Sequence, residues 1–156
     1  MAVIPGKRWS MAPEVHSCHS STKKGPQAMA SKPGGSSPEV VNLSQKLSLF
    51  NEQWSPKIVG QLNDAYIKVV KLKGEFVWHQ HEHDDELFLV VKGTLRILLR
   101  DGELMVHEGE FAVVPKGVEH CPVAEEEVHA VLIEPTTVVN TGEVRNERTV
   151  EAPDWI

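Results

Sequence analysis

The stretch Phe76–Glu86 reads FVWHQHEHDDE. In an extended strand successive side chains point to opposite faces. His79 and His81 therefore share one face, while Trp78, Gln80 and Glu82 share the other. Two imidazoles so spaced can converge on one ion, and Glu86 adds an anionic oxygen after a turn through Asp84 and Asp85. Further on, Gly109–His120 reads GEFAVVPKGVEH, a strand that enters a Pro-x-Gly turn and returns with His120. Three neutral imidazoles and one carboxylate suit a borderline divalent ion: Fe, Mn, Ni, Co, Cu or Zn. Such a set leaves positions open on a five- or six-coordinate ion. His83 has the same strand parity as His79 and His81, so His81 with His83 is a competing pair.

Outward from these residues the pattern is β. Tyr66–Leu72 is rich in β-branched residues, and Glu75–His81 alternates. Short apolar runs follow at Leu87–Val91, Thr94–Arg100, Leu104–Val106, Phe111–Val114 and Val128–Ile133. Asp101-Gly102 is a two-residue hairpin signal, and Gly74, Gly93, Gly109 and Gly117 punctuate the rest. Many short strands separated by glycine turns imply an all-β sandwich or barrel. Before them, residues 38–65 hold spaced apolar positions (Val41, Leu43, Leu47, Phe50, Trp54), which suit a short helical or irregular segment packed on the barrel.

The motifs resemble those of a known family. His79-x-His81-x4-Glu86-x6-Gly93 is similar to the first cupin motif, and Gly109-x5-Pro115-x-Gly117-x2-His120 to the second. The chain resembles the small single-domain cupins of the RmlC-like superfamily, often labelled mannose-6-phosphate isomerase-like. The resemblance implies a double-stranded β-helix (a jelly-roll barrel) over residues 66–135. It also implies one metal on His79, His81, Glu86 and His120, and favours His79 over His83 as ligand. Two departures stand out. Gly74 lies one residue closer to the histidines than the common spacing, and Ala124 replaces the asparagine that often ends the second motif. That asparagine is not a ligand in the family, so its loss bears on activity rather than on metal binding.

The chain of 156 residues has a formal charge of −6. Residues 1–36 carry Lys7, Arg8, Lys23, Lys24 and Lys32 against Glu14, a local +4 that leaves −10 for the rest. An acidic body disfavours nucleic acid, and no apolar run is long enough to span a bilayer. Residues 1–37 are rich in Ser, Pro, Gly and Lys and read as a disordered basic leader, either a targeting segment or an extension with no folded role. Residues 136–156 are a polar tail that wraps an edge or mediates self-association. The two cysteines, Cys18 in the leader and Cys121 in the barrel, are not expected to pair, so a reducing, cytoplasmic compartment is the simpler expectation.

Three residues are candidates for catalysis beside the metal: His83 at the rim as a proton-transfer group, Glu119 as a base near the mouth, and Arg96 reaching inward to an anionic substrate. Trp78, Phe88 and Cys121 read as packing. The expected function is a metal-dependent isomerase, lyase or dioxygenase acting on a small oxygen-rich molecule, a sugar or carboxylate, through Lewis-acid activation. The alternative is a non-catalytic binding or storage protein with a structural metal. The family resemblance and apolar outer strands also imply a homodimer, with Trp54 or the tail at the contact.

Overall fold

The computed structural model describes residues 38–156; the expectation of a leader over residues 1–37 lies outside them. A short helix, α1 (Leu43–Leu47), is followed by seven strands: β1 (Lys57–Leu62), β2 (Ala65–Glu75), β3 (Glu86–Lys92), β4 (Thr94–Leu99), β5 (Gly102–His107), β6 (Phe111–Val114) and β7 (His120–Pro135). All pairings between the strands are antiparallel. The main path runs β1-β2-β7-β3-β6, with β4 between β5 and β7. The long strand β7 closes the barrel. Its first residues pair with β4, Leu99 against His120, and its second half lies between β2 and β3. The all-β, jelly-roll expectation is met.

Strand alternation explains why β2 reads as almost continuously apolar. Val70 and Leu72 point into the barrel with Phe88, Val90, Leu95, Ile97 and Leu132. Val69 points outward under a second cluster, with Leu47 and Phe50 from the α1 region, Val59 from β1 and Val131 from β7. A strand covered on both faces keeps apolar residues on both. α1 is capped by Asn42, whose Oδ1 accepts from Gln45 N at 3.0 Å.

Two local readings differ from the sequence pattern. The hairpin between β4 and β5 pairs Leu99 with Gly102, so Arg100-Asp101 form its loop and Gly102 opens β5. The segment after Glu75 is not a regular strand; it meets β7 through a backbone hydrogen bond from Phe76 N to Pro122 O and a bridge between His79 and His120.

The tail packs back onto its own barrel. Val138, Asn140 and Thr141 are buried. Gly142 has φ +55°, and a Cβ there would meet Gln80 O at 2.0 Å. The chain then returns to β1, where Ile58 N donates to Asp154 O and Ile156 N to Ile58 O. Among the described residues no helix is long and apolar enough to cross a membrane.

Candidate metal centre

The elements bring His79, His81, Glu86 and His120 together at the barrel interior. All four are buried, and one ligand-type atom from each lies within 4.8 Å of the others. Glu86 opens β3 and His120 opens β7. The bridge between His79 and His120 fixes the two motifs against each other through paired backbone hydrogen bonds of 3.0 and 2.9 Å.

The hydrogen bonds assign the imidazole tautomers. His79 Nδ1–H donates to Val77 O at 2.9 Å, and His120 Nδ1–H donates to Val118 O at 3.0 Å. A carbonyl only accepts, so each proton sits on Nδ1 and the Nε2 lone pair is free to face a cation. His79 Nε2 is buried with no partner among the described residues. His81 Nε2 and His120 Nε2 both approach Glu86 Oε2, at 3.2 and 3.3 Å. For His120, whose proton sits on Nδ1, an Nε2 acceptor facing a carboxylate oxygen in a dry interior needs a cation between them, either a proton or a metal. The donor chemistry therefore fits a divalent ion, and the four residues form a group that could hold one.

The electrostatics match this geometry. Burial, reinforced by His120, holds the His79 pKa down at about 4, so it remains a neutral donor at neutral pH. Burial works against charge on His81 too, but its hydrogen bond to Glu86 and the negative charge there win and raise it. Burial likewise pushes the Glu86 carboxyl up, yet His120 and His81 outweigh it and hold the group below the usual carboxylate range.

A small cavity of about 30 Å³ adjoins His79 and Glu86. Its wall includes Trp54, Phe76, Phe88 and Leu132, with Asn140 from the tail. Trp54 stacks on Phe76 at 4.7 Å between ring centroids, and its Nε1–H donates to Lys73 O. On the other side, His81 borders a polar cleft of about 160 Å³ between the 82–84 loop and the tail, where His83, Asp84 and Arg145 lie.

The other candidates sit elsewhere. His83 is outside the four-residue group, with its side chain 82% exposed. Arg96 alternates away from the buried Leu95 and Ile97, and its guanidinium lies 3.9 Å from Glu103 rather than inside the barrel. Glu119 is held by Arg100 through two hydrogen bonds of 2.7 and 2.6 Å on the surface. Arg100 also lies 3.9 Å over the Trp78 ring. Phe88 is core, edge-on to His120, and Cys121 is a buried free thiol. Asp85 Oδ1 accepts from Lys116 N, tying the two motif turns together.

Sequence reasoning missed a buried pair in the same interior. Lys68 on β2 meets Glu134 on β7 at 2.5 Å, and both are 1% exposed. Burial, with the charge of Glu86 adding to it, raises the Glu134 carboxyl. The available signal was a lysine within an aliphatic run.

Comparison with known proteins agrees with this geometry. A family model described as "Cupin domain" matches residues 67–140. The YdbB protein of Bacillus subtilis (strain 168) is 35% identical over 83 residues, 53% of this chain and 74% of the relative. A cupin-2 domain containing protein from Shewanella frigidimarina is 50% identical, with TM-score 0.61 over 62% of this chain and 94% of that one. Protein NMB1881 from Neisseria meningitidis is 37% identical, with TM-score 0.58 over 63% of this chain and 100% of that one. With both motifs, the barrel and these relatives in agreement, the chain belongs to the cupin family.

Proposed function

We propose that this cupin is a metal-dependent enzyme acting on a small molecule that presents an oxygen donor to the ion. The observation that carries this reading is the four-residue group itself: His79 Nε2 is buried without a partner among the described residues, and two more imidazoles converge on one carboxylate oxygen. His79, His81, Glu86 and His120 would hold one divalent transition ion, which when bound supplies Lewis-acid activation of a hydroxyl, carbonyl or carboxylate. The rest is the chain's own work. Val77 O and Val118 O orient two rings through their Nδ1–H groups. Trp54, Phe76 and Phe88 give one side of the site an apolar wall.

The cavity wall narrows the substrate. Its lining carries no Arg or Lys, so it offers no cationic clamp for a sugar phosphate. This weighs against mannose-6-phosphate isomerase-like activity. It favours a small hydroxylated or carboxylated molecule whose remainder is apolar. A second reading, binding or storage around a structural metal, draws support from the cavity's size: about 30 Å³ holds waters rather than a sugar.

The test is a titration of the Co(II)-loaded protein with small hydroxy acids, oxo acids and hydroxylated aromatics. The visible spectrum reports binding, and mass spectrometry of the mixture reports products. A ligand that perturbs the spectrum and is converted supports the enzyme; one bound tightly and recovered unchanged supports the second reading.

We also propose a homodimer. Trp54 is buried in its own barrel, as are Val138, Asn140 and Thr141 of the tail, and we place the contact on an exposed apolar strand instead. Among the exposed apolar side chains of the described residues, Phe111 and Val113 on β6 lie near Met105 and Leu104 on β5. β6 ends the main sheet path, and an apolar edge strand is a natural pairing surface. A reducing compartment suits Cys121 as a buried free thiol.

A further inference from the structure

We propose that Glu134, positioned by Lys68, is the hydrogen-bond acceptor that the barrel presents to a ligand at the metal centre. The proposal rests on the metal-binding reading above and assigns a role to residues outside the four ligands.

The register places Glu134. On β7, Val128, Ala130 and Leu132 point into the barrel core, and Glu134 continues that face. Leu87 on β3 pairs with Ile133, so the next step along the antiparallel ladder sets Glu134 beside Glu86. Neighbouring side chains on one face of such a pair lie roughly 5 Å apart at Cβ. Both residues are at most 3% exposed.

The pair has no evident structural purpose. Apart from Glu86, the residues that flank it on the inward face, Val70, Phe88 and Leu132, are apolar. Replacing a buried ion pair with apolar side chains of similar volume is often neutral or stabilising. Lys68 Nζ holds Glu134 Oε1 at 2.5 Å, which fixes the carboxylate. The other oxygen, Oε2, is buried and has no partner among the described residues. A buried acceptor of this kind is satisfied by a donor, and a protic ligand at the adjacent centre supplies one.

Lys68 also fixes the polarity of the site. An ammonium has donors only. In Glu134→Gln the amide must turn its oxygen to Lys68, so its NH₂ faces the position that Oε2 held. The variant therefore replaces an acceptor with a donor at nearly constant shape.

The experiment uses the full chain loaded with Co(II), with metal content measured first, and two probes. Acetohydroxamate carries an N–H donor beside its metal-binding oxygens, whereas azide carries no hydrogen. In the wild type both bind and perturb the Co(II) spectrum. In Glu134→Gln, acetohydroxamate should weaken about tenfold or more relative to azide, the scale of a lost charge-assisted hydrogen bond. The double variant Lys68→Met with Glu134→Leu removes the acceptor with an apolar exchange and should show the same relative loss, which keeps the test open should the single variant fold poorly. An unchanged acetohydroxamate-to-azide ratio in metal-loaded variants, or an equal loss of both probes, overturns the role of Glu134 and leaves the metal centre standing. A wild type that takes up no Co(II) removes the metal reading and this proposal together.

Discussion

His79 and His120 face each other across an isolated antiparallel bridge, each amide donating to the other's carbonyl, with imidazole centroids 4.3 Å apart. The bridge ties the two motifs at the backbone, so the imidazoles are positioned by hydrogen bonds that do not depend on an ion. Preorganisation of this kind lets a site bind without first ordering its own ligands.

The histidine variants should separate cleanly. His79→Ala and His120→Ala each remove a nitrogen aimed at the shared centre. Each should lower metal affinity by about 100-fold or more, since even groups that merely support a ligand cost 10–100-fold. His83→Ala should leave occupancy unchanged, because its ring is exposed and outside the group. Metal content of the three variants under the same limiting supply checks this. An empty His83→Ala beside a loaded His79→Ala would reverse the assignment.

Affinity should fall with acid in a specific way. Glu86 raises the His81 pKa above its ordinary 6.5 in the metal-free protein, so a proton occupies that nitrogen at pH values where a free histidine has lost it. A metal must displace the proton. Affinity is therefore full well above pH 6.5 and declines as the pH is lowered towards it. His79, held at about 4, adds proton competition only in much stronger acid. Calorimetric titration with Ni(II) at pH 8, 7 and 6 should show successively weaker binding; equal affinity at all three would count against the placement of His81 on Glu86.

Gly142→Ala should loosen the tail from the metal-bearing segment. The new Cβ would meet a backbone oxygen, Gln80 O, and the residue sits at φ +55°. Neither strain has a flexible side chain to absorb it, so a cost of about 2 kcal/mol is expected. Thermal melts should show a loss of several degrees, and metal affinity should fall because Gln80 lies between two ligands. A wild-type melting temperature would mean that the tail and the 79–81 segment move apart freely.

The proposed dimer contact can be tested at its most exposed residue. Phe111→Lys places a charge on β6, where the aromatic ring is 65% exposed. The variant should be monomeric by light scattering at concentrations where the wild type is dimeric, with metal content unchanged. A wild type that is itself monomeric at micromolar concentration would remove the dimer proposal.

Much of the site could be read from the sequence because strand parity is strict. His79 and His81 fall on one face whatever the tertiary fold, and the Pro115-x-Gly117 turn returns the chain to His120. Register between distant strands was not readable. Nothing local in YIKVVKL says that Lys68 points inward to Glu134, since that depends on how β2 lies against β7. The tail was equally opaque. Its polar residues satisfy one another, Asn140 donating to Arg148 O and accepting from Val150 N, so it packs without an apolar period. The hairpin turn was misplaced by one residue because Gly102 fits either the loop or the start of β5.

The most direct measurement is elemental analysis of the protein purified without chelators or added ions, repeated after incubation with Fe(II), Mn(II), Ni(II) and Zn(II). His79, His81, Glu86 and His120 together should retain close to one transition-metal ion per chain, and His79→Ala should retain far less. A wild-type chain that stays empty with every one of these ions would contradict the assignment of this group as a metal centre.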